Sequence, residues 1–284
     1  MIAIVFFAYP HASATGVAQP SFMSDLFNAF LLGLIEGITE FLPISSTGHL
    51  LIAEHWLGAR SELFNVVIQA GAILAVLLIY RQRLWQLLSG FSRPENRDYL
   101  LKLSLAFAIT AVLGFAVTKM GFKLPETITP VAWALIIGGV WMLVAEKLAA
   151  NKPDSTRITW TVAVLVGLAQ IVAAIFPGTS RSAATIFVAL LAGTSNRAAA
   201  TEFAFLVGIP TMFAASGYEL LKLAKAGSIV SEDWTALAIA FVTAAVTAFV
   251  AVKWLLGYIR THRFTPFAWY RIALGIGLLT LLSA

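Results

Sequence analysis

Apolar positions along the chain fall into long runs separated by short polar stretches. Six runs, at about 62–80, 100–120, 128–148, 199–221, 234–257 and 266–283, approach the length of about 20 residues that carries a helix across a bilayer. Two further runs, 26–57 and 158–194, are longer and interrupted. Glu36, Glu40, Pro43 and the cluster Ser45-Ser46-Thr47-Gly48 break the first, and Pro177-Gly178 followed by Thr179, Ser180, Arg181 and Ser182 breaks the second. Each predicts two half-helices in a hairpin that enters and leaves the membrane on one side. A proline kink in a full span is the plainer alternative, but it gives no reason for hydroxyl clusters at both breaks.

The two interrupted runs are copies of one pattern. Gly33–His49 aligns without a gap on Gly167–Ala183, shifted by 134 positions. Gly33 meets Gly167, Leu34 meets Leu168, Glu36 meets Gln170, Pro43 meets Pro177 and Ser46 meets Ser180. The order is hairpin, three spans, hairpin, three spans, and an odd number of crossings between the copies turns the second over. The fold expected is an all-α polytopic membrane protein with an inverted-topology repeat. It has six transmembrane helices plus two re-entrant hairpins, with repeats at about 24–150 and 158–284. In such folds the broken helices bring polar groups to the midplane, where irregular backbone survives only against protein or a polar cavity.

Composition agrees with a bilayer. The chain is 60% hydrophobic and 12% charged, against about 45–50% and 25% in soluble domains. Residues 23–284 read as one integral membrane domain. Residues 1–22 stand apart, with an apolar stretch from Ile2 to Tyr9 and an Ala12-Ser13-Ala14 triplet but no basic segment before them; they read as a signal-like piece, an upstream start or an appended extension. The absence of cysteine excludes disulfides and thiolate metal sites. The net charge of +5 belongs to loops, and no basic platform with interleaved aromatics suggests nucleic acid. Eleven basic residues, from Arg81 to Arg263, collect on one side of the predicted spans. Arg60, Lys119, Lys123, Lys222 and Lys225 collect on the other. The positive-inside rule makes the richer side cytoplasmic, so the first hairpin opens outward.

Polar residues within the apolar runs carry the candidate chemistry. Glu36 and Glu40 lie four apart and share a helix face. Buried carboxylates in a membrane are costly and usually functional: the pair suits a divalent cation shared with a phosphate, or a general base, or else packs by hydrogen bonding. Ser45, Ser46 and Thr47 suit the start of a second half-helix. His49, three residues past Ser46, offers the partner an activated nucleophile needs, although capping alone accounts for the serines. At the second break Arg181 needs an anion. That anion is either Glu36 or Glu40 or a phosphate gripped by its planar fork, with Thr179, Ser180, Ser182 and Thr185 as hydroxyls and the helix N-terminus as an anion site. Asn65, Gln69, Glu62 and Glu202 are candidate supporting residues.

The segments Glu36-Gly-Ile-Thr-Glu-Phe-Leu-Pro-Ile-Ser-Ser-Thr-Gly-His49 and Pro177-Gly-Thr-Ser-Arg-Ser-Ala-Ala-Thr185 resemble the two signature motifs of the bacterial undecaprenyl-pyrophosphate phosphatases, the bacitracin-resistance family. The resemblance runs from Met23 to the C-terminus. It implies hydrolysis of undecaprenyl pyrophosphate to the monophosphate, recycling the lipid carrier for peptidoglycan synthesis. It also implies a divalent metal, Mg2+ or Ca2+, and a bacterial inner-membrane location with the site facing the periplasm. The matching Glu36, Glu40, Ser45, Ser46, His49, Ser180, Arg181, Ser182 and Thr185 would be functional, and a homodimer is allowed. The competing class is a transporter or flippase of a polyprenyl phosphate, which needs alternating access but no nucleophile.

Overall fold

A computed structural model describes residues 22–120, 128–227 and 233–283. The proposed extension, apart from Phe22, and Lys123 lie outside them. The described residues form eleven helices and no strand. The first half holds α1 (Phe22–Thr39), α2 (Ser46–Leu57), α3 (Glu62–Ile79), α4 (Arg81–Ser89), α5 (Pro94–Lys119) and α6 (Ile128–Ala150). The second holds α7 (Trp160–Ile175), α8 (Arg181–Ala192), α9 (Arg197–Lys225), α10 (Trp234–Tyr258) and α11 (Thr265–Ser283).

Five of these, α3, α5, α6, α9 and α10, are long and apolar enough to cross a membrane. The chain is a multi-pass membrane protein. Val242, Val246 and Val250, spaced four apart on α10, are all exposed. An apolar stripe on an outer face suits lipid, not water. By contrast α3 and α9 are mostly buried at the centre.

Both breaks turn the chain back on itself. At 12 residues, α2 and α8 reach only about 18 Å, short of the roughly 30 Å hydrocarbon core. Near the start of α1, Asn28 Nδ2 donates to the carbonyl of Leu57 at the end of α2, and Arg60 pairs with Asp25. In the second half Thr194 donates to the carbonyl of Arg157, and Asn196 N–H to that of Ser155. A kinked span could make none of these contacts. The hairpin mouths lie at opposite ends of the bundle. The first sits by the start of α3 and the end of α9, where Lys222 meets Glu62. The second sits by the end of α6 and the start of α9, where Arg197 meets Glu146.

Packing between the halves is reciprocal. α1 lies on α10 as α7 lies on α5, and α6 lies on α11. Glycines make the close approaches: Gly33 abuts the carbonyl of Ala240, and Gly167 that of Ala106. Across α6 and α11, Gly139 abuts Ala268 while Gly275 abuts Ala132.

The structure departs from the sequence expectation in three places. A short helix, α4, occupies 81–89 between two spans, with Trp85 and Leu88 exposed and Leu87 buried. α5 begins at Pro94, where the missing N–H costs nothing in a first turn and the run continues the span expected from about 100. The gapless alignment also fails at the break. Ser45, not Ser46, corresponds to Ser180, because both cap the helix that follows and both accept a hydrogen bond from the N–H three residues on, Gly48 and Ala183. From the paired glycine to the cap, Gly167 to Ser180 is one residue longer than Gly33 to Ser45. Gly178 in the second break has φ 94°, and a Cβ there would lie 2.7 Å from the Val131 carbonyl oxygen.

Candidate active site

The two tips meet in the protein interior. The half-helix pattern leaves carbonyls and N–H groups without helical partners at each break, and the opposing tip supplies the partner of one carbonyl. Ser182 Oγ donates to the Leu42 carbonyl at 3.0 Å and lies 3.0 Å from Ser180 Oγ. Ser45 and Ser180, the two non-glycine residues of positive φ among the described residues, hold φ 74° and 68°. Such strained backbone persists where surrounding contacts over-determine it, and gathers at functional sites.

One cluster joins the tips. Ser46 Oγ donates to Glu40 Oε2 at 2.5 Å. Arg181 Nη2 reaches the other oxygen, Glu40 Oε1, at 3.1 Å and touches the Met212 sulfur at 2.8 Å. The guanidinium lies beside Gly208, where a Cβ would sit 2.2 Å from Nη1, and over the Phe41 ring. Arg181 therefore makes the ion pair that a purely structural reading requires. It keeps Nη1 and Nε without a hydrogen bond among the described residues, with 18% of the side chain exposed. That leaves room for an oxyanion on the same fork.

Glu36 is buried one turn earlier, and neither carboxylate oxygen has a hydrogen-bond partner among the described residues. Its repeat counterpart is engaged: Gln170 Nε2 donates to Thr110 of α5 at 2.9 Å. An acid with no partner, beside Glu40 and Arg181, asks for a cation or a donor from outside the chain.

His49 does not form the expected pair with Ser46. Its Nδ1 lies 2.7 Å from the Ser45 carbonyl, which can only accept, so Nδ1 carries the proton. Nε2 then accepts from the Tyr270 hydroxyl at 2.7 Å, with the two rings stacked. With Ser45 as the cap, His49 falls where its ring folds back on the cap carbonyl, while Ser46 faces Glu40. Thr185 donates to the Arg181 carbonyl of its own helix. Thr47 is half-buried, and Thr179 offers the site its carbonyl, held by Arg271. Asn65 and Gln69 are buried on α3 with unpartnered carbonyl oxygens. Glu62 and Glu202 pair with Lys222 and Arg83.

Arg271, on α11, is not among the candidates read from the sequence. It is fully buried and donates to the carbonyls of Thr179 at 2.8 Å, Gly178 at 2.9 Å, Ala134 at 3.1 Å and Pro43 at 3.5 Å. It thus fastens both tips. A lone arginine in the last span was the available signal, since a cation at that depth must find acceptors.

The family model described as bacitracin resistance protein BacA matches residues 29–277. The chain belongs to this family. The undecaprenyl-diphosphatase of Rhizobium etli is 71% identical over 255 residues, 90% of this chain and 96% of that one. Those of Xanthomonas euvesicatoria pv. vesicatoria and Xylella fastidiosa are 64% and 61% identical, over 92% of this chain and 99% and 100% of theirs. The BacA match spans both breaks, so Glu40, Ser46 and Arg181 all lie within it.

Proposed function

We propose that the chain hydrolyses undecaprenyl pyrophosphate to undecaprenyl phosphate and inorganic phosphate, recycling the lipid carrier of envelope synthesis and conferring bacitracin resistance. The observation that carries this is the Glu40–Ser46–Arg181 cluster: a hydroxyl hydrogen-bonded to a carboxylate and a guanidinium with donors to spare, at the junction of two half-helix N-termini. Relatives of 61–71% identity over nearly the whole chain support the substrate.

Phosphoryl transfer depends mainly on positioning and charge stabilisation. The free donors of Arg181 and the N–H groups at the starts of α2 and α8 hold the diphosphate. Ser46 Oγ attacks the terminal phosphorus as its proton passes to Glu40 Oε2. The Oγ–P bond forms, the anhydride P–O bond breaks, and the polyprenyl monophosphate leaves. Glu40 hands that proton to the departing monophosphate, then deprotonates the water that attacks the phosphoserine, and returns the proton to Ser46 Oγ as inorganic phosphate leaves. His49, tied to Ser45 and Tyr270, holds the start of α2 in place.

A divalent cation, Mg2+ or Ca2+, fits this donor set. Mg2+ is commonly held by one or two carboxylates plus substrate phosphates, and Glu36 presents two unpartnered oxygens beside Glu40. No group of three or more acidic, histidine or cysteine side chains able to hold a metal occurs among the described residues, so phosphate oxygens would complete its shell. The ion would neutralise charge on the diphosphate. Glu36 is its main ligand, because Arg181 and Ser46 already occupy both oxygens of Glu40.

The two halves are read as inverted about the membrane plane, six spans plus two re-entrant hairpins, in a bacterial inner membrane. Reciprocal helix packing and hairpin mouths at opposite ends support the inversion. The charge count supports a periplasmic mouth for the first hairpin. A Cys at Thr47 in intact cells tests the orientation: it should react with an impermeant thiol reagent added outside, and reaction only after the inner face is opened would reverse it. Phosphate release from a polyprenyl pyrophosphate in detergent tests the activity against transport, since a micelle has no second compartment. Turnover there means chemistry, and its absence in folded protein would favour the flippase.

A further inference from the structure

The seam between α2 and α3 holds a file of oxygen atoms that the fold leaves unsatisfied. Glu54 on α2 and Asn65 and Gln69 on α3 are all buried. Glu54 Oε1, Asn65 Oδ1 and Gln69 Oε1 have no hydrogen-bond partner among the described residues. The Asn65 amide donates to the Glu54 carboxylate, so these two meet across the seam. Gln69 lies four residues on from Asn65, on the same face of α3. Depth follows from the helical rise of about 1.5 Å per residue. Asn28 bonds the Leu57 carbonyl, which sets α1 and α2 level at the mouth of the first hairpin. Glu54 is then about 4.5 Å inside that mouth and Glu36 about 12 Å inside, with Gln69 about 6 Å deeper than Asn65. Acceptor oxygens therefore run from near the mouth to the depth of Glu36, whose charge Glu54 is close enough to influence.

Ion pairing singles out Glu54. At this end Asp25 takes Arg60, and Glu62 and Glu219 share Lys222. Glu54 forms no ion pair among the described residues. Arg60 is near enough to act on it, but its Nη1 and Nη2 go to Asp25 and its guanidinium lies over the Phe64 ring. A buried carboxylate without a cation is costly.

We propose that Glu54, Asn65 and Gln69 form a second divalent-cation site, separate from Glu36 and nearer the mouth of the first hairpin. Hard divalent cations take carboxylate and amide carbonyl oxygens, and Mg2+ is commonly held by one or two carboxylates while keeping several waters. One carboxylate and two amide oxygens, completed by water, match that demand. The role of the site, though not its existence, rests on the functional reading above. Glu36, Glu40 and Glu54 outnumber Arg181, so a diphosphate entering by this mouth meets net negative charge. An ion at Glu54 offsets that charge and lies on the way to Glu36.

Paramagnetic resonance titration of the purified full chain with Mn2+ alone, in detergent and without substrate, tests the site. The parent should bind two ions. Glu36→Gln should lose one and Glu54→Gln the other, with affinity at the lost site down on the order of tenfold or more, the scale set by losing a group that only supports a ligand. Moving the carboxylate across the seam, Glu54→Gln with Asn65→Asp, should restore the second ion. Gln69→Leu should weaken it without disturbing the Glu54–Asn65 pair, which keeps the test alive if the Glu54 variants do not fold. Parent-like binding by folded Glu54→Gln or Gln69→Leu would mean that water alone fills the seam and would overturn the proposal. A single ion lost in both Glu36→Gln and Glu54→Gln would merge the two sites and overturn it as well. A single ion that survives Glu36→Gln but not Glu54→Gln would support this site and remove Glu36 as a ligand. Failure of the parent to release phosphate would count against the functional reading and leave the titration intact.

Discussion

Ser45 and Ser180 hold the same left-handed backbone, φ 74° and 68°, each as the cap of the half-helix that follows its break. Each hydroxyl accepts the N–H three residues on at 3.3 Å, which offsets the strain of the turn. Replacing either by alanine loses the cap and keeps the strain, and should cost about 1–2 kcal/mol. Glycine relieves the φ and should cost less. Thermal unfolding in detergent should rank each position Ser above Gly above Ala; Ala at or above Gly would mean that the left-handed conformation is not held by the cap.

The spans and hairpins were legible because a bilayer imposes length and apolarity on every crossing, so run lengths alone mark 62–80, 128–148 and 234–257. The site was legible in part. Glu40 and Arg181 stand out as charges inside apolar runs, and their ion pair is one of the alternatives that the sequence raises. The partner of Ser46 was not legible. Spacing put His49 within reach, but moving the cap by one residue to Ser45 turns Ser46 to Glu40 and gives His49 to Tyr270, 221 residues away. Such a contact depends on how α11 packs. The one-residue shift between the caps was hidden for the same reason: hydroxyl clusters align almost equally well in either register, and only the cap geometry separates them.

Arg181→Ala should lower turnover on the order of 100-fold, as loss of a preorganised oxyanion donor does, while the protein stays folded because Ser46 still bonds Glu40. Arg181→Lys should recover little, since a point charge cannot both pair with Glu40 and fork onto phosphate. Steady-state kinetics with size-exclusion profiles of each variant decide it. Near-parent rates for Arg181→Ala would leave only its structural ion pair.

Glu36→Gln should weaken Mg2+ or Mn2+ binding with little change in stability, because the carboxylate makes no hydrogen bond that the amide would lose. Calorimetric titration, or Mn2+ paramagnetic resonance in the presence of inorganic pyrophosphate, reads this without turnover. Binding equal to the parent would remove Glu36 as a ligand.

Arg271→Met removes the donor shared by the carbonyls of Thr179, Gly178, Ala134 and Pro43. Stability should fall by roughly 3 kcal/mol, the scale of hydrogen bonds to a buried charge. Activity should fall with it as the tips separate. A variant as stable and as active as the parent would show that the tips hold together without the arginine.

The central claim is that the two breaks build one catalytic unit across the interface of the halves, with Ser46 from the first and Arg181 from the second meeting at Glu40. A double-mutant cycle in kcat/KM for phosphate release, with Ser46→Ala, Arg181→Ala and the pair, tests it most directly. Residues that act as a unit are strongly non-additive. The double variant should therefore be about as slow as the slower single variant. Losses that multiply, or a Ser46→Ala protein that turns over at the parent rate, would contradict a shared site.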